Sequence, residues 1–484
     1  MMPAMIFAAM TTVLQPSANN PLVAIRLVFR TGSVDDPKGK EGLAALVGTM
    51  VGKGGSKAQP YAEAVEALYP LAADISVRVD KETTVISGVV HRDNVEAYTR
   101  LLLERVLEPR FAEDDFGRNR QDAIDALAKT LRGNDDENLG KQALAQAMYG
   151  AGHPYGRPTL GTVAGLRALT LDEVKKFWQT HWTRDRLIVG IGGGYPDGYS
   201  DKLVAALEKL PAKGAALAKI PAVPARKSGN LIIVDKAARA TAISIGRPIK
   251  VTRSDADFYP LFLAASYLGE HRTFNGVLMN HMRGVRGMNY GDYAYVENFI
   301  QQGGSTFPLP NIARRQQHFE IWIRPVPPQN AGFALREAIY ETDKLVREGI
   351  PQAGFDATRE FLTHYSELWT QDVMRRLGYA IDAKIYGKDL QAELHARLPK
   401  MTKADVDKAI KKYLAVKDLS VGIVAEKGAE LQKTLEAGTP TPITYDTKGT
   451  PPEVLEEDKV IEKFPLPLGK GALTVVPVDQ MFEK

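Results

Sequence analysis

The sequence predicts an α+β protein built from two homologous α/β roll domains, each with an antiparallel-rich sheet covered by helices. Three observations support this prediction. The chain has 484 residues, which exceeds the length at which a single hydrophobic core usually stops growing. Apolar residues with strand-like alternation and with helix-like spacing occur in both halves. A long segment of the first half recurs in the second half, which indicates duplication of a whole domain.

The duplicated segment occupies residues 166–194 and recurs at residues 398–426. In each copy a threonine precedes a helix, an acidic residue follows three positions later, and a strand reading L-x-V-G-I comes near the end. Threonine and an acidic residue at this spacing form the capping box of a helix N-terminus. Matching residues are 232 or 233 positions apart: Thr170 and Thr402, Val174 and Val406, Asp185 and Asp418. A single register therefore relates the two copies.

Composition excludes several functional classes. Hydrophobic residues make up 44% of the chain and charged residues 25%, as in ordinary globular proteins. The 62 basic and 58 acidic residues are spread along the sequence, without the basic cluster of a nucleic-acid-binding protein. The absence of cysteine excludes disulfides, thiolate metal sites and a cysteine nucleophile. No apolar run reaches the length of a membrane span, about 18 residues.

Apolar spacing and helix signals predict the elements of the first half. We interpret the apolar N-terminus (1–14), which has no basic segment before it, as a short opening strand. Residues 21–30 alternate, with Ile25, Leu27 and Phe29 on one side, which predicts a half-buried strand. Helices are expected to start after cap residues such as Asp93 and to stop at glycine or proline. The other predicted strands are 75–79, 83–90 and 186–191, and the helices begin near 42, 61, 93, 113, 138, 170 and 199.

The second half is predicted in the same way, and its elements define the domain boundaries. The predicted elements are strands 240–246, 316–325 and 473–477, helices 255–269, 330–348 and 352–369, and a hairpin across 301–304. The segment after 210 is rich in Pro, Ala and Lys without periodicity, as in linkers. We therefore assign 1–210 to the first domain, 211–230 to a linker, 231–438 to the second domain, and 439–484 to a C-terminal tail that docks on the body.

The stretch 275–295 carries the candidate functional residues. Its first part has helical spacing closed by two glycines, and its aromatic-rich second part predicts a strand. Arg283 lies on the predicted helix and Tyr290 at the start of the strand. A guanidinium and a phenol hydroxyl can both donate hydrogen bonds to a peptide carbonyl or a developing oxyanion. Without further context, a solvated Arg283 and a packed Tyr290 are the simpler interpretation.

Other motifs of catalysis and binding are weak. The eight histidines include no pair three or four positions apart, so no helix face offers paired imidazole ligands. Residues 190–194, GIGGG, follow a strand but lack the spacing of a dinucleotide-binding loop. No G-x-S-x-G elbow and no P-loop is present.

Several segments together resemble the insulinase/pitrilysin family of inverted zinc metallopeptidases. They are the strand LVAIRLVFRTGSVDD, the helix GLAALVGTM, the loop HPYGR, the helix LTLDEVKKF and the two-copy layout. The resemblance covers about residues 10–430. The family includes mitochondrial processing peptidase subunits and respiratory core proteins. It implies two α/β rolls that face each other across a cavity.

The zinc motif of the catalytic members is degenerate in this chain. Those members read G-L-A-H-x-x-E-H-M, where the histidines bind zinc and the glutamate is the base, and a distant glutamate completes the site. Here Ala45 and Thr49 stand at the histidine positions, Gly48 at the base, and Asp125 at about the distant glutamate. A catalytic zinc needs three protein ligands, so we expect no metal and no cofactor in this chain.

The resemblance gives Arg283 and Tyr290 a role. Peptidase members carry an arginine and, seven residues later, a tyrosine that hold the substrate, and residues 282–290 match that spacing. Arg286 is expected to be structural, and Tyr293 and Tyr295 to pack. The implied function is the non-zinc subunit of a heterodimeric metallopeptidase, which binds an extended peptide together with a homologous zinc-bearing partner. The alternative is an inactive homologue that acts as a scaffold or peptide-binding subunit. The resemblance to this family implies a periplasmic or secreted location.

Overall fold

The computed structural model describes residues 10–273, 275–446 and 448–484, with all their side chains except that of Lys470. The chain forms two sheets, one in each half, and helices cover both. This arrangement confirms the predicted α+β class. The strands are β1 Thr11–Pro16, β2 Leu22–Phe29, β3 Ser76–Val79, β4 Thr84–His91, β5 Leu187–Gly193, β6 Gly229–Asp235, β7 Thr241–Ile249, β8 Asp292–Tyr295, β9 Gln317–Val326, β10 Ser420–Ala425 and β11 Leu468–Pro477.

The helices alternate with these strands along the chain. Within the described residues, no helix combines the length and apolarity that crossing a membrane requires. Two π-helical turns, Ala126–Leu131 and Met279–Val285, interrupt the regular helices. The α-helices are α1 Leu43–Lys53, α2 Tyr61–Leu68, α3 Val95–Leu107, α4 Glu113–Asp125, α5 Arg132–Asn134, α6 Asp136–Tyr149, α7 Val163–Arg167, α8 Leu171–His181, α9 Tyr199–Leu207, α10 Phe258–Gly269, α11 Ala331–Glu348, α12 Gln352–Tyr365, α13 Val373–Tyr386, α14 Leu390–Arg397, α15 Lys403–Tyr413, α16 Gly428–Glu436 and α17 Pro452–Ile461.

The two sheets have the same arrangement around the repeated strand. In the first, with order β1-β5-β2-β4-β3, β5 lies between parallel β1 and antiparallel β2. In the second, with order β11-β6-β10-β7-β9-β8, β10 lies between parallel β6 and antiparallel β7. Both helices of the duplicated segment begin with the predicted capping box, at Thr170 and at Thr402. The repeat seen in the sequence therefore corresponds to equivalent positions in the two sheets.

Each sheet is covered on its second face by a helix from the other half. Helix α13 packs against β1, β2 and β5, and helix α6 packs against β6, β7 and β10. Under α13, the side chains of Ala24 and Val28 are fully buried against Leu377 and Ile381. Strand β2 is therefore buried on both faces, so the prediction of a half-buried strand is wrong. The alternation revealed only the face that meets the core of its own half.

The glycine of the repeated L-x-V-G-I strand lies at each helix crossing. A Cβ atom added at Gly422 of β10 would lie 2.3 Å from the carbonyl oxygen of Gly140 and 2.4 Å from the amide nitrogen of Leu144, both in α6. A Cβ atom added at Gly190 of β5 would lie 2.6 Å from Cδ1 of Ile381 in α13. In the second sheet the added Cβ atom would meet backbone atoms of α6, which cannot rotate away. In the first sheet it would meet only the end of a flexible side chain.

Buried polar contacts also join the two halves. Arg314 forms a two-pronged ion pair with Asp80, with nitrogen–oxygen distances of 2.9 and 2.6 Å. Arg26 donates a hydrogen bond of 2.7 Å to Oδ1 of Asn311, whose backbone amide donates to Asp382 at 3.1 Å. Removal of one partner of such a buried pair leaves an uncompensated charge, which typically costs about 3–5 kcal/mol. The relative position of the halves is therefore fixed by charge as well as by apolar packing.

Several predicted boundaries differ from the structure. The helix predicted over 113–131 changes to a π-helical turn at Ala126, and the one predicted over 352–369 ends as an α-helix at Tyr365. Strands β8 and β9 pair antiparallel, but the irregular segment 296–316 replaces the tight hairpin predicted across 301–304. Part of the predicted opening strand, 1–9, lies outside the described residues, and β1 begins at Thr11.

The tail after residue 438 contacts both halves. It contains α17, which the Pro- and Thr-rich composition did not indicate, and β11, which pairs in parallel with β6. Its last residues reach the first half, where the amide of Val163 donates to the carbonyl of Phe482 at 3.0 Å. Arg132 donates to the carbonyl of Met481 at 2.7 Å. The tail thus runs from the edge of the second sheet to the surface of the first half.

We expect Gly422→Ala to destabilise the protein more than Gly190→Ala. Overpacking typically costs about 1–3 kcal/mol, and the larger value is expected where the new methyl group meets backbone that cannot rotate away. Urea unfolding of the full chain measures the difference. Gly117→Ala in α4 is the control, because a Cβ atom there meets nothing within 4 Å and alanine favours helix. Equal losses for the two strand variants would contradict the proposed role of the Gly422 crossing.

Candidate functional site

Arg283 and Tyr290 lie side by side at the surface of the second half. Arg283 belongs to the π-helical turn Met279–Val285, whose Met279 and Met282 point into the core. Its guanidinium carbon lies 4.9 Å from the centroid of the Tyr290 ring, within the range of a cation–π contact. Tyr290 is 74% exposed and lies in the bend before β8, so its predicted place at the start of the strand is wrong. An arginine and an exposed phenol are therefore presented together to solvent.

A left-handed turn brings the tyrosine back to the arginine. The φ angle of Gly287 is +64°, a conformation that only glycine adopts at low cost. The amide of Gly287 donates to the carbonyl of Arg283 at 3.0 Å, and the amide of Met288 donates to that of Met282 at 3.0 Å. The two glycines predicted to close the helix behave differently, because Gly284 lies within the helical turn and Gly287 ends it. The spacing of seven residues thus spans one helical turn and one reversal of the chain.

The buried Arg286 anchors this turn. Its side chain is 1% exposed and is surrounded by Glu337 of α11 at 2.8 Å, Glu457 of α17 at 2.9 Å and Asp458 of α17 at 2.8 Å. Burial alone would lower the pKa of Arg286, but the three carboxylates outweigh it and raise that pKa above its ordinary value. A structural role for Arg286 agrees with the sequence prediction. The tail helix α17 therefore helps to hold the element that carries Arg283.

A buried carboxyl group lies close to Arg283. Asp292, at the start of β8, is fully buried and accepts a hydrogen bond of 2.6 Å from Nδ2 of Asn289. Burial raises the pKa of Asp292 to about 8, and Asn289 and the charge of Arg283 offset this rise only in part. Asp292 is therefore mostly protonated and uncharged at neutral pH. In that state it does not compete strongly for the positive charge of Arg283.

The neighbouring tyrosines pack, as predicted. Tyr293 is 2% exposed and contacts Met279 and Trp322 in a small apolar cluster. The hydroxyl of Tyr295 lies 2.5 Å from Nδ1 of His271. These contacts pack the side chains of β8 against the second half. Neither ring is presented to solvent beside Tyr290.

The residues at the degenerate zinc positions do not form a metal site. On α1, the hydroxyl of Thr49 donates to the carbonyl of Ala45 at 3.0 Å. A side chain at Gly48 would begin 2.4 Å from Cγ2 of Val79. Asp125 lies at the surface, bound to Lys129 at 2.8 Å and to Gln121 at 3.0 Å. In the described part of the chain, no group of three His, Asp or Glu side chains could hold a metal ion.

Sequence reasoning missed the carboxylates that surround this site. Glu337, Glu457 and Asp458 are separated from Arg286 by 51 to 172 positions in the chain and belong to no motif. Asp292 was visible only as a polar residue in an aromatic strand. An aspartate at the start of a buried strand, shortly after a helix that carries an arginine, is a weak signal of a buried carboxyl group. The sequence offered no other signal.

Comparison with known proteins assigns this chain to a family. The profile of "Insulinase (Peptidase family M16)" matches residues 11–163, and that of "Peptidase M16 inactive domain" matches residues 168–362. The protein "Non-peptidase homolog YmxG" of Helicobacter pylori is 24% identical over 84% of this chain and 90% of its own length. An uncharacterized zinc protease of Mycobacterium leprae is 25% identical over 51% of this chain, and the match spans only 54% of that protein.

Solved structures show the same fold. The crystal structure of a peptidase M16 inactive domain from Pseudomonas fluorescens superimposes with a TM-score of 0.74 and 20% identity, and the match covers 87% of this chain and 96% of that one. A protease from Helicobacter pylori gives a TM-score of 0.71 with 15% identity, over 86% of this chain and 96% of its own. The two family profiles cover most of the chain in succession, and we conclude that this chain belongs to peptidase family M16, the insulinase family.

Proposed function

We propose that this chain is the non-zinc subunit of a heterodimeric metallopeptidase. The observation that carries the proposal is the half-buried Arg283 beside the exposed Tyr290, both held on a turn anchored by Arg286 in a chain whose zinc positions do not fit a metal. Tyrosine and arginine are enriched among the residues that contribute most of the binding energy at protein interfaces. In this proposal a homologous partner supplies the zinc, its ligands and the general base.

The chemistry available to this chain is hydrogen-bond donation to a peptide carbonyl. The guanidinium of Arg283 offers several N–H donors in a fixed plane, and Tyr290 offers one O–H donor. Donors aimed at the oxygen that becomes negative in the transition state lower the barrier more than donors to the ground state do. Arg283 and Tyr290 would therefore bind the scissile carbonyl and stabilise the tetrahedral oxyanion. The substrate would lie extended and pair with a sheet edge in the partner's half.

Two supporting features concern partners and location. The M16 relatives include a protein named "Mitochondrial-processing peptidase subunit beta" of Dictyostelium discoideum, 24% identical over 34% of this chain, whose name describes one subunit of an assembly. A solved structural neighbour is described as the periplasmic protease PqqL from Escherichia coli. We propose a periplasmic or secreted location and substrates that are unfolded peptides or small proteins.

The second candidate is an inactive peptidase homologue that acts as a scaffold or peptide-binding subunit. The names of two similar proteins favour it, since one is called a non-peptidase homolog and the other an inactive domain. Both functions use the same fold. They differ in whether Arg283 and Tyr290 contribute to turnover by the assembly.

Substitution of the exposed pair separates the two functions. We expect peptide hydrolysis when the chain is mixed with a zinc-motif homologue from the same source, and no hydrolysis by either protein alone. Arg283→Ala and Tyr290→Phe should each lower kcat/KM of the mixture by about 10²–10³, the usual cost of removing one donor to an oxyanion. Steady-state hydrolysis of a fluorogenic peptide measures the effect.

Matched controls use exposed residues of the same type elsewhere. Tyr69→Phe, at a tyrosine 85% exposed in the first half, and Arg100→Ala, at an exposed arginine in α3, should leave hydrolysis unchanged. Full turnover with both site substitutions present, in a mixture that still forms the complex, would exclude the catalytic role and leave the scaffold.

The pKa of Asp292 predicts a pH dependence. Asp292 is protonated below about pH 8 and becomes an anion above it, where it attracts Arg283 and competes with the substrate carbonyl. Activity of the mixture should therefore decline as pH rises through about 8. In Asp292→Asn this decline should be absent or shifted to higher pH, because the amide stays neutral, while activity at pH 7 stays close to that of the wild type. Identical alkaline profiles for the two proteins would contradict the coupling between Asp292 and Arg283.

A further inference from the structure

A polar cavity lies between the two halves, apart from the exposed Arg283–Tyr290 pair. Its volume is about 400 Å³, within the range of about 300–1,000 Å³ that is usual for small-molecule sites. One wall is helix α6 of the first half, and another is strand β9 of the second half. The segment 298–303, which follows β8, covers it. The cavity exists because α6 covers β6, β7 and β10 but leaves much of β9 uncovered.

The alternation of β9 sends four polar or aromatic side chains into this space. His318, Glu320, Trp322 and Arg324 line the cavity, whereas the intervening residues belong to the apolar core. From the opposite wall, α6 contributes side chains one turn apart, which include Glu137 and Lys141. Positive groups, negative groups and an indole ring are thus brought together from two domains.

Several polar atoms around the cavity have no hydrogen-bond partner. Glu320 is 7% exposed and Trp322 is 5% exposed, and Oε1 of Glu320 and Nε1 of Trp322 are both unpartnered. The same holds for Oε2 of Glu137 and Nδ2 of Asn298. Buried polar groups in proteins are nearly always hydrogen-bonded, and an unmade bond is unfavourable. All four residues line the cavity, whose wall is therefore strongly polar.

Lys141 is one of the cationic residues that line the cavity. Its ammonium nitrogen lies 3.5 Å from the centroid of the Trp322 ring. Within the described residues, Glu320 and Glu137 attract it electrostatically, but no carboxylate lies within ion-pair distance. Burial is the main cause that lowers the pKa of Lys141. A carboxylate brought by a ligand would compensate this charge.

We infer that the cavity binds a small zwitterion with a free ammonium group and a free carboxylate, namely an α-amino acid or a dipeptide. Lys141 supplies the donor for the carboxylate. The carboxylates of Glu320 and Glu137, which line the opposite walls of the cavity, supply acceptors for the ammonium group. Phe299 and Tyr149 provide apolar surface for a side chain. The inference does not depend on the proposed peptidase role.

A purely structural role explains the cavity less well. The buried ion pair of Asp80 and Arg314 already joins the halves nearby, and Arg324 is bound to Glu137 at 3.1 Å. In these pairs each charge is already compensated by its partner. The ammonium group of Lys141 has no such partner among the described residues, and the burial of an unpaired charge is unfavourable until an anion is bound.

Isothermal titration calorimetry of the full chain with the common α-amino acids and a set of dipeptides tests the inference. We expect at least one compound to bind saturably with a stoichiometry near one. Its N-acetylated and C-amidated forms, each of which lacks one charge, should bind about tenfold or more weakly, since a hydrogen bond to a charged group contributes about 1.5–3 kcal/mol. Saturable binding by none of these compounds, or equal binding of the capped forms, would overturn the inference. A longer peptide that binds only when its termini are free would identify peptide ends as the source of the same chemistry.

Variants place the binding in the cavity. Lys141→Met and Glu320→Gln should each weaken binding about tenfold or more, while Lys129→Met, at an exposed lysine of the first half, should not change it. Thermal unfolding checks that the variants fold.

Asn298→Asp, in the covering segment, adds a negative charge facing the carboxylate and should weaken binding even if a substitution on α6 or β9 prevents folding. The double variant Arg283→Ala, Tyr290→Phe should bind normally. Unchanged affinity in folded Lys141→Met and in Asn298→Asp would overturn the site.

Discussion

The structure depends on the reciprocal covering of two sheets, each by a helix from the opposite half. A sheet with one apolar face can leave its other face in water, but β2, β5, β7 and β10 are buried on both sides. This burial requires α13 and α6 to be present on the far faces. Neither half can therefore bury its sheet completely by itself. The duplication seen in the sequence has the physical consequence that each copy completes the other.

The same constraint creates two polar spaces between the halves. A helix covers only part of a five- or six-stranded surface, so the outer strands of each sheet remain open towards the other half. In the second sheet this leaves the cavity lined by β9. In the first sheet it leaves a cavity beside β3 and β4, lined by Arg26, Arg78 and Arg375. Cavities between the halves thus follow from helix packing geometry.

The buried charge of Arg286 connects the tail to the exposed pair. Three carboxylates from α11 and α17 surround one guanidinium, and two of them belong to the tail. Removal of Arg286 from such a cluster would leave buried acidic groups without their cation, which is costly. The turn that carries Arg283 and Tyr290 is therefore held in one conformation by residues that come more than 160 positions later. Preorganisation of this kind matters for donors that act on a transition state, since it removes reorganisation from the reaction step.

The sequence allowed the fold class, the repeat and most elements to be predicted, because these depend on local periodicity and caps. The capping boxes at Thr170 and Thr402 are local features, and the structure contains them. The burial of Ala24 and Val28 by α13 could not be predicted, because the covering helix is about 350 positions away. The closeness of Arg283 and Tyr290 was suggested by spacing and family resemblance, whereas Asp292 and the carboxylates around Arg286 depend on contacts that no local pattern encodes.

Helix α1, which carries three of the degenerate zinc positions, has no room for the side chains of a zinc site. Most of α1 is buried, and the direction in which a side chain at Gly48 would point is filled by Val79 of β3. Three substitutions that restored histidine and glutamate there would also have to displace β3, because overpacking a core is unfavourable. The donors of the second half face no such obstacle, since Tyr290 lies in solvent and Arg283 is only half-buried. In the proposed function, the first half of this chain supports the fold, and the second half supplies the groups that contact a substrate shared with another subunit.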